Sequence, residues 1–257
     1  MNFLKKMALP MFVFLVFAFL YLPIIVLIVF SCNKIAFPYR WAGFSLEWYR
    51  ELLESTEIWH AVKNSLIVAL SAVFLSLTMG LTFIFYTART KYEKVIPFFY
   101  GNLVFPEIIL AVSLLALFTF FAIPTGLLAL IAAHTVLAFG FVVPILAARF
   151  QELDYSIIEA SLDLGASLNQ TFIRIVIPLL LPALVAAGLL VFVISFDDFL
   201  LAFFCAGTSA QTLPLYIFAL IRTGISPVIN ALSTLLLVVS SVGVLIFCSL
   251  KSKIRIF

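Results

Sequence analysis

The stretch DYSIIEASLDLGASLNQTFIRIVIPLLLP, residues 154–182, is the only long polar interruption in the second half of a very apolar chain. Residues 156–159 have the S-x-x-E form of a capping box, in which two side chains satisfy free amides at a helix start, and residues 167–170 repeat it as S-x-x-Q. Gly165 lies between them, where a helix commonly ends on a left-handed residue. Pro178 lacks an amide, so the second helix should end or bend before the next apolar run. The stretch therefore predicts two short capped helices joined by a glycine turn.

The rest of the chain places this loop in a membrane protein. Of 257 residues, 65% are hydrophobic and only 11% are charged, which is outside the usual range of soluble domains. A β-barrel would show short alternating segments, whereas these apolar runs approach the roughly 20 residues that a spanning helix needs. We therefore expect an all-α polytopic membrane protein with six transmembrane helices. They fall at about residues 7–30, 61–86, 95–121, 127–148, 179–204 and 229–250.

Two of these runs need comment. The first follows two lysines but is too long for a secretory signal, so we interpret it as a retained span. The third is the least regular, as in membrane helices that are broken or bent against their neighbours. Its interrupting residues are Pro97, Gly101, Asn102, Pro106 and Glu107.

Basic residues predict the orientation, because short loops rich in Lys and Arg stay in the cytoplasm. With both termini inside, ten basic residues are cytoplasmic: Lys5, Lys6, Arg89, Lys91, Lys94, Arg149, Arg174, Lys251, Lys253 and Arg255. Five are external: Lys34, Arg40, Arg50, Lys63 and Arg222. This asymmetry places residues 154–182 in the cytosol and residues 31–60 outside. The external segment SLEWYRELLEST, residues 45–56, has the pattern of an amphipathic helix lying at the membrane surface.

The apolar residues of the cytosolic loop allow two interpretations. They could form a docking surface for another protein, or they could pack on their own bundle, since amphipathic loops are common at membrane interfaces. Spacing alone leaves both open.

One set of loop residues follows a fixed spacing: Glu159, Ala160, Ser161, Gly165, Ile175, Ile177 and Pro178. This spacing resembles the E-A-A-x3-G-x9-I-x-L-P signature of permease subunits in bacterial ABC importers, with Ser161 in place of the second alanine and Ile177 in place of leucine. The resemblance implies a type I ABC importer permease fold. The whole of residues 1–257 would then be a single transmembrane domain, with an external loop at 31–60, a permease core at 61–250 and a cytosolic coupling loop at 151–178. In this family the coupling loop inserts into a cleft of a separate ATPase.

The chain has no G-x-x-x-x-G-K-[ST] motif to cradle nucleotide phosphates, so any ATP must be bound by another subunit. Its cysteines, Cys32, Cys205 and Cys248, show neither metal-site nor paired spacing. Together with the resemblance, which implies a transport subunit that is not an enzyme, this leads us to expect no catalytic residue, no metal, no cofactor and no nucleic-acid partner.

Ionisable residues within apolar spans are costly, and each is a functional candidate. Four acidic or histidine candidates occur: Glu107, His134, Asp197 and Asp198. Counted along their spans, all four fall in the outer half of the membrane. Because neighbouring helical residues point about 100° apart, we expect only one of the two aspartates to face a shared path. The alternatives are that an aspartate caps a helix end or reaches the headgroups, and that His134 makes a hydrogen bond within the bundle.

No Lys or Arg lies inside the three spans that contain these four residues, and an acid-lined path without cations favours a cationic substrate. Phe196, Phe199 and Tyr216 could offer ring faces to ammonium groups.

Residues 192–237 indicate a more specific group within this family of permeases. They are similar to the second permease subunit of spermidine/putrescine importers, in Asp197-Asp198, Leu213-Pro214-Leu215, Gly224, Ser226-Pro227 and Asn230-Ala231-Leu232. The resemblance implies a polyamine permease of the bacterial inner membrane. Its partners would be a homologous second permease, two copies of an ATPase and an external polyamine-binding protein. The alternatives are an ABC permease for iron, thiamine or another small solute, a proton-coupled transporter that uses the buried acids and His134 as a relay, and a bundle that only scaffolds a complex.

Overall fold

The structure is a computed structural model that describes residues 2–35, 40–87, 90, 94–101, 104–224 and 227–253. Side chains are described over the same residues except 2–8, 223 and 246–253. In this part of the chain the backbone is almost entirely helical, and the β-pairing is one isolated bridge between Asn33 and Phe44. The prediction of an all-α protein is confirmed.

The helices are α1 (Asn2–Ser31), α2 (Glu47–Glu54), α3 (Thr56–Thr87), α4 (Ile96–Tyr100), α5 (Glu107–Phe120), α6 (Leu127–Gln151), α7 (Ser156–Asp163), α8 (Leu168–Thr171), α9 (Ile177–Asp197), α10 (Leu200–Cys205), α11 (Leu213–Thr223) and α12 (Pro227–Lys253). A π-helical turn, Phe172–Val176, connects α8 to α9.

Five helical segments among the described residues are long and apolar enough to cross a membrane: α1, α3, α6, α12 and the continuous segment Leu168–Asp197. The third predicted span, 95–121, is divided into α4 and α5, as its prolines and glycine indicated. The fifth predicted span, 179–204, was wrong at both ends. Its helix begins at residue 168 and stops at Asp197, before a break and the short α10.

The chain divides into two compact units. The larger, Glu57–Tyr216, contains α3 to α10 and two apolar core clusters. One cluster packs α3, α6 and α9 together around Val142 and Leu146, and the other packs α5, α6 and α10 around Leu130 and Leu201. The helices α3 and α6 approach closely at Gly80, where an added Cβ would lie 2.5 Å from Cγ1 of Val142.

The smaller unit comprises Met1–Thr56 and Ile217–Phe257, and in it α12 packs against α1 and α2. Asn33 organises the loop before α2. Its Nδ2 donates to the Arg40 carbonyl at 2.8 Å, its Oδ1 accepts from the Ala42 amide at 2.9 Å, and its carbonyl accepts from Trp48 Nε1 at 2.6 Å. The predicted helix in SLEWYRELLEST is confirmed as α2, which buries Leu52.

Candidate functional site

The turn at Gly165 closes α7 as predicted. Gly165 has φ +86°, in the left-handed region that favours glycine. Its amide donates to the Leu162 carbonyl at 2.9 Å, and the Ala166 amide donates to the Ser161 carbonyl at 3.1 Å. These two bonds form a Schellman motif, which satisfies the free carbonyls at the end of α7 and fixes the direction of the chain.

The first predicted capping box is wrong. The chain already turns at Tyr155, whose carbonyl accepts from the amides of Ile158 and Glu159, so Ser156 lies inside the helix rather than at its cap. Asp154 replaces it, because Asp154 Oδ1 accepts from the Ser156 amide at 3.0 Å. The hydrogen bonds from the Ser156 side chain and amide lower the pKa of Asp154 below its ordinary value.

The second capping box is confirmed, whereas the predicted end of its helix is not. Ser167 Oγ accepts from the Gln170 amide at 3.3 Å, and Gln170 Oε1 accepts from the Ser167 amide at 2.9 Å. The helix then continues through the π-helical turn into α9. Pro178 has no amide to donate, and its ring would crowd the carbonyl four residues earlier in an α-helix. The wider turn accommodates it, and the Ile177 amide donates five residues back to Phe172.

Part of the coupling loop packs into the core of the larger unit. Ile158 is buried in the same core cluster as Val176. Ser161 Oγ and Thr171 Oγ1 lie 2.9 Å apart, with both residues buried, and this pair ties α7 to α8. Sequence reasoning missed Thr171. The available signal was the serine at the second alanine of the signature, because a hydroxyl in a buried position needs a partner.

The exposed surface of the coupling loop includes large apolar side chains among its polar ones. Four large side chains are exposed there: Ile157, Leu164, Leu168 and Ile173. Leu164 is the most exposed, at 89%, beside the glycine turn. Among the signature residues, Glu159, Ala160, Gly165 and Pro178 are exposed, Ile175 is half-buried and Ser161 is buried. The loop thus buries one set of residues in the core and leaves four large apolar side chains exposed.

A second cluster lies where α9 ends. Asp197 is the last residue of α9 and is exposed, while Asp198 has extended backbone (φ −68°, ψ 126°) and is 7% exposed. The sequence had predicted that the two aspartates are neighbours on one continuous helix. This is wrong, because α9 ends between them. Asp198 Oδ2 accepts from the Ala202 amide at 3.1 Å and so satisfies a free amide at the start of α10. The helix-capping alternative holds for this residue.

His134 brings the cluster together from α6. Its Nδ1 lies 2.8 Å from Ser195 Oγ, which confirms a hydrogen bond within the bundle, and its Nε2 lies 3.4 Å from Asp198 Oδ2. The Glu107 carboxyl at the start of α5 is close enough to interact with the Asp198 carboxyl. The structure thus joins Glu107, His134 and Asp198 and adds Ser195, which sequence reasoning missed.

The three predicted aromatic residues are placed differently from one another. Phe196 stacks on Phe192 with ring centres 5.6 Å apart, and Phe199 lies 5.5 Å from Phe203. Tyr216 is buried on α11. Two of the candidate rings therefore make aromatic contacts within their own helical segments.

Comparisons with known proteins identify relatives over nearly the whole chain. No family model matches it. It is 38% identical over 232 residues to the spermidine/putrescine transport system permease protein PotC of Haemophilus influenzae, covering 89% of this chain and 90% of that protein. It is 35% identical over 244 residues to the putrescine transport system permease protein PotI of Escherichia coli K12, covering 90% and 85%.

A solved structure shows the same fold. It is the crystal structure of a bacterial ABC transporter involved in the import of the acidic polysaccharide alginate. The TM-score is 0.73 at 16% sequence identity, covering 98% of this chain and 96% of that one. The predicted ABC importer permease fold is confirmed.

Proposed function

The chain belongs to the family of permease proteins of bacterial spermidine/putrescine transport systems, and on this premise we propose that it is the permease subunit of an ATP-driven importer that moves polyamines into the cytoplasm. The observation that carries the proposal is 38% identity to such a permease over about nine-tenths of both chains. The chain is a multi-pass membrane protein, and its basic residues favour cytoplasmic N- and C-termini. The family favours this function over a proton-coupled transporter.

The acids support a cationic substrate. Polyamines carry several ammonium groups separated by methylene segments, so they suit a path that alternates carboxylates with apolar and aromatic surface. The exposed Asp197 would meet an ammonium group at the end of α9, with Glu107 and Asp198 beside it. The half-buried rings of Phe196 and Phe199 and the ring of Tyr216 would line the same route.

The coupling loop supports a partner that supplies energy. It presents Leu164 and its apolar neighbours on a turn fixed by Gly165, and the sequence has no phosphate-binding loop of its own. In the proposed complex two copies of an ATPase each receive such a loop, one from this chain and one from a homologous permease. An external binding protein delivers the polyamine. Closure of the ATPases then moves the loops and opens the bundle inward.

The substrate is tested by uptake of radiolabelled spermidine and putrescine into proteoliposomes that contain the purified complex. Asp197→Asn should lower ATP-dependent spermidine uptake about tenfold, the loss expected for one charge-assisted contact. Glu51→Gln removes one charge from an exposed site on α2 and should leave uptake unchanged. Normal uptake by a fully assembled Asp197→Asn complex would refute the proposed contact between Asp197 and the cationic substrate. ATP-driven uptake of another solute, with none of either polyamine, would refute the substrate.

Coupling is tested at Leu164, because its exposed side chain contributes little to the fold. Leu164→Asp should abolish co-purification of the ATPase and uptake together, since a charge in an apolar contact is costly. Leu53→Asp, at a similarly exposed leucine on α2, is the control. An ATPase that still co-purifies with Leu164→Asp would contradict docking through this side of the loop. Uptake driven by a pH gradient without ATP would instead support the proton-coupled alternative.

A further inference from the structure

His134 spans the end of α9 with its two ring nitrogens. Ser195, in the last turn of α9, lies 2.8 Å from Nδ1, and Asp198, the first residue beyond the helix, lies 3.4 Å from Nε2. The side chains of His134 and Asp198 are both 1% exposed. One imidazole from α6 therefore contacts both sides of the point where α9 stops.

The surroundings of His134 and Ser195 are apolar and narrow. The crevice that adjoins these two residues is too narrow to admit a water molecule. Its lining is Leu137, Ala138, Phe141, Val191 and Ile194, beside the pair itself. The Ser195 hydroxyl and His134 Nδ1 must therefore satisfy each other.

The chemistry of the partners selects one arrangement of protons. When Asp198 is ionised, its carboxylate can only accept hydrogen bonds, so the nitrogen that faces it then carries the proton. Nδ1 of His134 then accepts from the Ser195 hydroxyl. The distance of 3.4 Å to Asp198 is slightly longer than a normal N–H···O bond, and a small movement of the carboxylate would complete it.

Burial of the Asp198 carboxylate costs free energy, because one of its oxygens has no partner in the part of the chain that the structure describes and another carboxyl lies nearby. A contact from His134 would offset part of this cost. Oδ2 accepts from the Ala202 amide, whereas Oδ1, like His134 Nε2, is buried and has no hydrogen-bond partner among the described residues. The nearby Glu107 carboxyl repels it when both are ionised. A buried oxygen left unpaired normally marks either strain or a ligand that is absent.

We propose that His134, oriented by Ser195, is a positioning residue for polyamine import: it holds the Asp198 carboxylate at the break after α9 so that the buried, unpaired Oδ1 is left to accept from a substrate ammonium group. This inference rests on the proposed polyamine function. His134 acts through Asp198, and it fixes the acid by contact with Oδ2 while the other oxygen serves the cation.

Three substitutions separate positioning from simple packing. His134→Gln places an amide nitrogen near the position of Nε2, His134→Asn places one near Nδ1, and His134→Leu keeps neither. Positioning predicts that the Asn and Leu variants raise the KM for spermidine about tenfold, the loss expected for a hydrogen bond to a charged group, and change kcat less than about twofold. The Gln variant should stay within about threefold of the unchanged KM, because it can still donate to Asp198.

The assay is ATP-dependent spermidine uptake by the full complex in proteoliposomes, with thermal unfolding of each variant measured alongside. Thr135→Val is the matched control. It removes the neighbouring buried hydroxyl on α6, which donates to the backbone carbonyl of Ile131 in its own helix, and it should leave the KM unchanged.

The outcomes separate the two proposals. Absence of polyamine uptake by the unsubstituted complex would overturn the proposed function and this inference with it. Normal uptake by the unsubstituted complex, together with an unchanged KM in His134→Asn and His134→Leu, would overturn positioning alone. A KM that rises equally in the Gln and Asn variants, in step with lost thermal stability, would also overturn it, because packing alone predicts that pattern. If the Leu variant fails to assemble, the difference in KM between the Gln and Asn variants still distinguishes positioning from packing.

Discussion

Replacement of Gly165 by alanine has a cost that can be worked out from the backbone alone. Gly165 has φ +86°, and an added Cβ would meet no atom within 4 Å. The cost is therefore conformational rather than steric, and roughly 1–2 kcal/mol is expected for an L-residue with a Cβ in the left-handed region. This corresponds to about a 5- to 30-fold increase in the population of the opened turn.

Two further substitutions isolate this cause. Gly165→Asn should cost much less, because asparagine tolerates the left-handed conformation and also ends helices. Gly243→Ala is the control, since Gly243 lies in α12, where a Cβ would also meet no atom within 4 Å. In an ordinary helical conformation alanine is favoured over glycine by about 0.5–1 kcal/mol. The same chemical change should thus have opposite effects at the two sites.

The measurement is hydrogen exchange, followed by mass spectrometry, on the purified protein. The amides of Gly165 and Ala166 are held by the Schellman hydrogen bonds, so their exchange reports opening of the turn. Gly165→Ala should accelerate it by about 5- to 30-fold, whereas Gly165→Asn should stay near the rate of the natural sequence. If the loop docks as proposed, the apparent affinity for the ATPase falls by at most the same factor. Equal exchange in the alanine variant and the natural sequence, or equally fast exchange in both variants, would refute this reasoning.

Three other predictions concern packing, pH and the buried hydroxyl pair. Gly80→Ala should lower the free energy of unfolding by about 1–3 kcal/mol, because the new Cβ would lie 2.5 Å from Val142 Cγ1. In thermal unfolding, adding Val142→Ala to Gly80→Ala should recover part of this loss; if the losses of the two substitutions simply add, the clash is contradicted. Because its pKa is lowered by Ser156, ionised Asp154 should stabilise the start of α7 above pH ~4 and lose this effect as the pH falls further. Once the intrinsic effect of pH on amide exchange is divided out, Asp154→Asn should abolish the pH dependence of the protection of the amides at the start of α7, and matching protection profiles for the two proteins would contradict it. Ser161→Ala and Thr171→Val should each cost about 0.5–2 kcal/mol in thermal unfolding, with the double variant costing less than their sum; strict additivity would mean that the 2.9 Å contact contributes nothing.

The sequence predicted the parts of the coupling loop that depend on local chemistry. A positive φ at Gly165 and the reciprocal bonds of Ser167 and Gln170 need only a few neighbouring residues, so their pattern was sufficient. At Ser156 two residues competed for one role, and Asp154 took it because the chain turned one residue earlier. Capping patterns that overlap in this way cannot be ranked without the backbone.

The sequence was sufficient to predict which ionisable residues form the acid cluster. It did not predict how they are arranged. Glu107, His134 and Asp198 are conspicuous because charge is costly in an apolar span. Ser195 is not, since a single serine in a membrane helix usually bonds to its own backbone. The break after Asp197 had no glycine or proline to signal it. It depends on Asp198 satisfying the amide of Ala202, together with the contact from another helix.

The coupling loop and the acid cluster lie at the two ends of one continuous helical segment, Leu168–Asp197, which has 30 residues and is about 45 Å long. The sequence implied a hinge at Pro178 that would have separated them. Instead the π-helical turn keeps the backbone hydrogen-bonded across that position, so the segment can transmit a displacement along its axis. The capping box at Ser167 fixes one end to the turn at Gly165. The other end stops at the break that His134 contacts. If the loop docks on an ATPase as proposed, its movement therefore reaches the acids through a single element, and a substitution that interrupts the π-helical turn should uncouple ATP hydrolysis from uptake while leaving docking intact.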